Sequence, residues 1–131
     1  MPENERKQVL AIDMDGTLLQ YDGWKGDAHY GDPNPGMREV LEKVREAGWL
    51  IVIWTTRGSD GAIRSHLAKH NIPFDYINKN PHGPPSRSPK IFADVYLDDR
   101  AIRFEGETAG LAERILKATP WFENQTPEGV S

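Results

Sequence analysis

Apolar positions fall along this chain in short runs and helical stripes, and several of the runs stop at a polar residue. Val9 to Ile12 is an apolar run that ends in Asp13-Met14-Asp15-Gly16-Thr17, the pattern of a buried strand opening into a loop. Residues 20 to 35 follow with neither a helical nor a strand period, a loop long enough in a compact domain to suggest function. Met37, Val40, Leu41, Val44 and Ala47 then recur on one helical face. Asn34 is suited to cap that helix, Pro35 to its first turn, and Gly48 to its stop. Leu50 to Trp54 is a second buried strand, ending at Thr55-Thr56-Arg57-Gly58.

The same reading predicts a second helix from about Asp60 to His70, with Ile63 and Leu67 inward and Pro73 enforcing its end. Phe74 to Ile77 is a short third strand, residues 78 to 90 an irregular loop, and Val95 to Leu97 a fourth strand ending at Asp98-Asp99. A last helix, about Glu107 to Ala118, carries Leu111, Ile115 and Ala118 inward before Pro120. Strands alternating with helices, all read as buried, predict an α/β domain in three layers: a mostly parallel, Rossmann-like sheet covered on both faces. Ligands of such sheets sit at the carboxyl ends of the strands. Asp13, Asp15, Thr55, Asp98 and Asp99 all stand where an apolar run stops.

Composition narrows the classes. The 131 residues fit one domain, with about 123 to 131 as a polar tail. A formal charge of −4 with no Lys/Arg run argues against a dedicated nucleic-acid binder, although a local anion site remains compatible with it. There are no cysteines, which excludes disulfides and thiolate metal sites and suits a reducing compartment. The first eight residues carry no apolar signal region, and the longest apolar run, Trp49 to Trp54, is too short to span a bilayer. The expectation is a soluble cytoplasmic protein with no membrane partner.

Side chains alternate along an extended segment, so Asp13 and Asp15 lean to one side, and Gly16 permits the turn that follows. Carboxylates this close repel unless a proton or cation lies between them. With Asp98 and Asp99 converging from another strand end, the simplest compensation is a hard cation. Mg²⁺ takes oxygen ligands and leaves positions open for water and phosphate. Lys90 supplies a further positive charge toward the same point, and Thr55 a hydroxyl for phosphate oxygens.

In these residues the chain resembles the haloacid dehalogenase superfamily. Asp13-x-Asp15-x-Thr17 after a hydrophobic strand is similar to its first motif, and Thr55 ending a strand to its second. Lys90 is similar to its third motif, and Asp98-Asp99 to its fourth, all in the family's order. The resemblance implies a Mg²⁺-dependent phosphatase. Asp13 is then the nucleophile that forms an aspartyl-phosphate, and Asp15 the acid and later the base. Asp13, Asp98 and the backbone carbonyl of Asp15 would hold the metal, with Asp99 direct or through water. Thr55 and Lys90 would bind the transferring phosphoryl group. Asp15 favours phosphate esters over haloacids. Only residues 18 to 35 and about 78 to 89 leave room for a cap, so the chain resembles small, capless members with an open site. A small phosphate ester is the expected substrate, with a polynucleotide end as the alternative.

Rival readings stay open at single positions. Lys79 lies in a loop comparable to that of Lys90, and Thr56 adjoins Thr55. Arg57 either contacts substrate or pairs with a nearby acid. His66 and His70 stand one helical turn apart, a spacing that suits Zn²⁺, but no third ligand is evident and a solvated helix surface is expected. Trp24, Lys25, His29 and Tyr30 are candidates for the substrate entrance, and His82 and Arg87 for a second anion. Among whole functions, a phosphoaspartate receiver would place its acid pair first, whereas here the pair comes last. A catalytically silent relative would have lost one of the acids. A mutase or other phosphotransferase would need a cap to hold its acceptor.

Overall fold

The computed structural model describes residues 6–21, 23–26, 29–82 and 90–118. In chain order these form β1 (Val9–Asp13), α1 (Met37–Glu46), β2 (Leu50–Trp54), α2 (Asp60–Lys69), β3 (Tyr76–Ile77), β4 (Val95–Leu97) and α3 (Leu111–Lys117). Every strand pair is parallel, in the order β3-β2-β1-β4. The chain is an α/β protein with a Rossmann-like sheet. Among the described residues no helix is long and apolar enough to cross a membrane.

Connection handedness explains how the layers are filled. The steps from β1 to β2 and from β2 to β3 run the same way across the sheet, so right-handed crossovers place α1 and α2 on the same face. That face buries Leu10, Ile12, Ile51 and Ile53 against Leu41 of α1 and Ile63 and Leu67 of α2. The step from β3 to β4 runs back across the sheet and returns on the opposite face. There Ile91 and Ala93 pack on Val9, Ala11 and Val52. Full burial of an aliphatic side chain contributes roughly 1.5–3 kcal/mol, so stability concentrates on β1 and β2, whose centres are closed on both faces.

β4 departs from the expected burial: Val95, Tyr96 and Leu97 are all partly open. It is held instead by its register on β1, with Leu10 opposite Val95 and Ile12 opposite Leu97. Asp94 adds a polar clamp, accepting from Val9 N at 2.7 Å while its own N–H donates to Val9 O. Tyr96 donates its hydroxyl to Ile91 O and so ties the strand to the crossing segment. Asp75 plays the equivalent part at β3, accepting from Ile51 N at 2.8 Å and from Arg45 at 2.8 Å. This shortens β3 to two residues, since Phe74 packs on the core outside the ladder.

The helices differ from expectation at their edges. The cap of α1 is Gly36, with φ 82°, and not Asn34. The Asn34 side chain is engaged elsewhere, donating to Thr17 O at 2.7 Å. Val40 and Ala47 are exposed because α1 lies toward β2 and leaves the flank above β4 open. α3 buries none of its residues: Ile115 is 57% exposed, and Leu111, Ile115 and Ala118 line a cavity with residues 99–102 and Phe104. Arg87 and the tail from 123 lie outside the described residues.

Candidate active site

The chain reverses its direction across the sheet between β1 and β4, which makes the crevice beyond their carboxyl ends the topological switch point where such sheets bind ligands. Register brings the acids there. Ile12 lies opposite Leu97, so Asp13 and Asp98 each follow a paired position, and Asp13 lies opposite Trp54, the residue before Thr55. Asp13, Asp98 and Asp99 can each place a carboxylate oxygen within 4.8 Å of the others. Asp13, Thr55 and Asp98 line one cavity of about 580 Å³ with Trp54, Thr56 and Asn78.

Electrostatics at this point are unfavourable for three free carboxylates. Burial pushes the Asp13 carboxyl up to about 7, reinforced by the charge of Asp98 and by the hydrogen bond and charge of Asp99. Thr17 opposes this, its hydroxyl lying 3.2 Å from Asp13 Oδ2 and 3.4 Å from Asp99 Oδ1. Asp99 Oδ2 is buried without a hydrogen-bond partner. A buried carboxylate oxygen lacking a donor is costly. An all-oxygen donor set with one such atom fits a hard divalent cation.

Thr55 is placed by Asn78, which sequence reasoning did not single out. The Asn78 amide accepts from Thr55 N and donates to Thr55 O, both at 2.8 Å. Asn78 has φ 50°, a left-handed conformation that asparagine tolerates better than most residues. The only signal was an Asn directly after an apolar strand. Thr55 Oγ1 accepts from Arg57 N at 3.1 Å, which leaves its hydroxyl proton to donate into the cavity. Thr56 is exposed at the same rim. Lys90 lines a second cavity, about 690 Å³, that shares Trp54 and Asp98 with the first. Lys79 lines neither.

The Asp15 side chain is turned out of the three-carboxylate group and onto Arg57. Nε and Nη2 of Arg57 meet its two oxygens at 2.8 and 3.2 Å. Pairing with a nearby acid, one of the two sequence readings for Arg57, is thus present in the structure. Burial works against the guanidinium charge, but the hydrogen bond and charge of Asp15 outweigh it and hold the group above its usual range.

The long loop after β1 folds back as a flap. Leu18 and Leu19 at its base are fully buried, Leu19 bridges Pro33, and Gln20 N donates to Asp32 O. Gly31 is required in this fold-back, because a Cβ there would collide with the Gln20 carbonyl. His66 of α2 clasps the flap, bonding Gly31 O at 2.8 Å and stacking on Tyr30 at 5.0 Å. Burial, with His70 and Lys69 nearby, lowers its pKa. His66 and His70 therefore serve as flap contacts, and among the described residues the only group with metal-ligand spacing is the aspartate one. Trp24 and Tyr30 sit by Arg57, whereas Lys25 and His29 are exposed. His82 bonds Lys7 O at 2.8 Å, an N-terminal tether.

No family model and no curated protein matches the chain. Solved structures do. A conserved protein from Bacteroides thetaiotaomicron is similar at 21% identity and a TM-score of 0.59, covering 93% of this chain and all of that one. A protein from Vibrio cholerae is 29% identical with a TM-score of 0.48, over 73% of this chain and 83% of that one. The first likeness supports the α/β fold.

Proposed function

We propose that this chain is a Mg²⁺-dependent phosphohydrolase of the haloacid dehalogenase type, cleaving phosphate monoesters through a phosphoryl group carried on Asp13. The observation that carries this reading is the meeting of Asp13, Asp98 and Asp99 at the switch point of a parallel sheet, with an unpartnered buried oxygen on Asp99. The motif order read from the sequence supports it independently.

An Oδ of Asp13 attacks phosphorus in line, forming the acyl-phosphate bond as the ester P–O bond breaks. Asp15 delivers its proton to the leaving oxygen, then takes one from the water that attacks phosphorus and frees Asp13. Thr55 donates to a phosphoryl oxygen, and Lys90, at the edge of the adjoining cavity, offsets charge on the same group. Asp13, Asp98 and Asp99, with the backbone carbonyl of Asp15, would hold Mg²⁺. When bound there, it would offset the charge of carboxylates and phosphate, so that both anions could share one site.

Residues 18–35 and 78–89 are too few for a separate cap domain, which suits a capless member of the family, and a small phosphate ester is the preferred substrate class with a polynucleotide end as the alternative. A cysteine-free chain of this kind suits a reducing cytoplasm. Phosphate release from a panel of monoesters, with and without Mg²⁺, tests the reading. Metal-dependent turnover of at least one ester is expected. A folded protein that turns over none contradicts it.

A further inference from the structure

Among the described residues Arg57 is the only buried charged residue, and its guanidinium is shared between Asp15 and the flap. One edge meets both oxygens of Asp15 in a fork. Nη2 also donates to His29 O at 2.7 Å, and Nη1 points at Gly26 O at 3.5 Å. Its Cζ lies 4.4 Å from the Tyr30 ring centre and 4.9 Å from that of Trp24. Planar bidentate pairing fixes orientation as well as distance, and aromatic faces restrain a guanidinium from the side. Trp24 itself is 59% exposed, so its contact with Arg57 is not a by-product of deep burial.

We propose that Arg57 is a positioning residue: it holds the Asp15 carboxyl in the orientation that serves the leaving-group oxygen, and Tyr30 and Trp24 of the flap hold Arg57. This rests on the phosphohydrolase reading and adds to it a link between the flap and proton delivery. Without the fork, Asp15 is free to rotate toward Asp13 or into solvent. A misplaced proton donor costs rate in proportion to how much the leaving oxygen needs the proton. An alkoxide leaves badly without one, whereas nitrophenolate leaves readily.

The test compares kcat/KM, which reports the leaving-group step, for glycerol phosphate and 4-nitrophenyl phosphate with saturating Mg²⁺. The variants are Arg57→Lys, Tyr30→Leu and the pair together, each verified as folded by circular dichroism. Arg57→Lys retains the charge and avoids the empty cage that Arg57→Ala would leave. Its activity on glycerol phosphate is expected to fall about 10- to 100-fold more than on the nitrophenyl ester. Tyr30→Leu, which touches no carboxylate, shows the same selectivity at smaller amplitude. The double variant is little worse than Arg57→Lys alone, because both act through one guanidinium. Equal losses on the two esters would make Arg57 a structural or phosphate-binding residue and overturn the proposal. Wild-type protein inactive on both esters and on the wider panel would instead remove the phosphohydrolase reading, and this proposal with it.

Discussion

A Cβ placed on Gly16 would lie 2.5 Å from Asp99 Oδ2, so the loop after β1 and the loop after β4 meet with no room for a side chain between them. Gly16 also has φ +93°, a conformation that side chains resist. Both constraints act on the same carboxylate. Gly16→Ala is expected to destabilise the fold by about 1–3 kcal/mol and to weaken Mg²⁺ binding by displacing Asp99. Chemical denaturation and calorimetric Mg²⁺ titration read the two effects. Unchanged Mg²⁺ affinity would place Asp99 outside the cation site.

Asp13 makes stability depend on pH with a definite sign. Its folded pKa of about 7 lies above the ordinary 3.8, so the fold prefers the neutral carboxyl. The contribution is complete below about 3.8 and fades as pH rises through about 7. His66 runs the other way: its lowered pKa means that stability is lost as pH falls through that depressed value. Comparison with Asp13→Asn isolates the first effect. Without divalent cations, the wild-type Tm is expected to fall from pH 5 to pH 8 more than that of Asp13→Asn. Saturating Mg²⁺ at pH 8 should restore the wild type and leave the variant nearly unmoved.

Thr17 bridges the acid that ends β1 and one in the loop after β4, and is itself buried. Thr17→Val keeps the shape and removes the hydroxyl. The expected cost is about 1 kcal/mol of stability, with Mg²⁺ binding weakened because the Asp13 carboxyl is pushed further up. Thr17→Ser should recover most of both, measured by denaturation and calorimetry.

Asp75 provides the contrasting case, a half-buried acid at the start of β3, away from the three-carboxylate group. Asp75→Ala leaves Ile51 N without its acceptor and Arg45 without its partner. Stability is expected to fall by about 1–3 kcal/mol, while kcat on any accepted ester stays close to the wild-type value. A large loss of kcat with the fold intact would show that the Asp75 clamp at the start of β3 sets the position of Asn78 and Thr55 at its other end.

Much of this was legible in the chain because strand ends are punctuated chemically. Apolar runs stopping at Asp13, Thr55 and Asp98 marked three strand ends, and parallel register then places them side by side. The return crossing was not legible: Ile91 and Ala93 cover the second face without any period to announce it. The stripe on α3 read as inward, yet nothing in its spacing tells whether a surface exists for it to cover, and Ile115 is largely exposed. Arg57 was readable only as two equal choices. Its burial arises from Asp15, Trp24, His29 and Tyr30, residues distant in sequence whose meeting depends on how the flap folds back. Asn78 was missed for the same reason, since its task is defined by a backbone 23 residues away.

The most direct test of the central claim is acid quenching during turnover in Mg²⁺, followed by mass mapping of the peptide that carries Asp13. A phosphoryl adduct on Asp13, absent without Mg²⁺ and absent in Asp13→Asn, is the predicted result. Turnover with no adduct, and with Asp13→Asn as active as wild type, would contradict it.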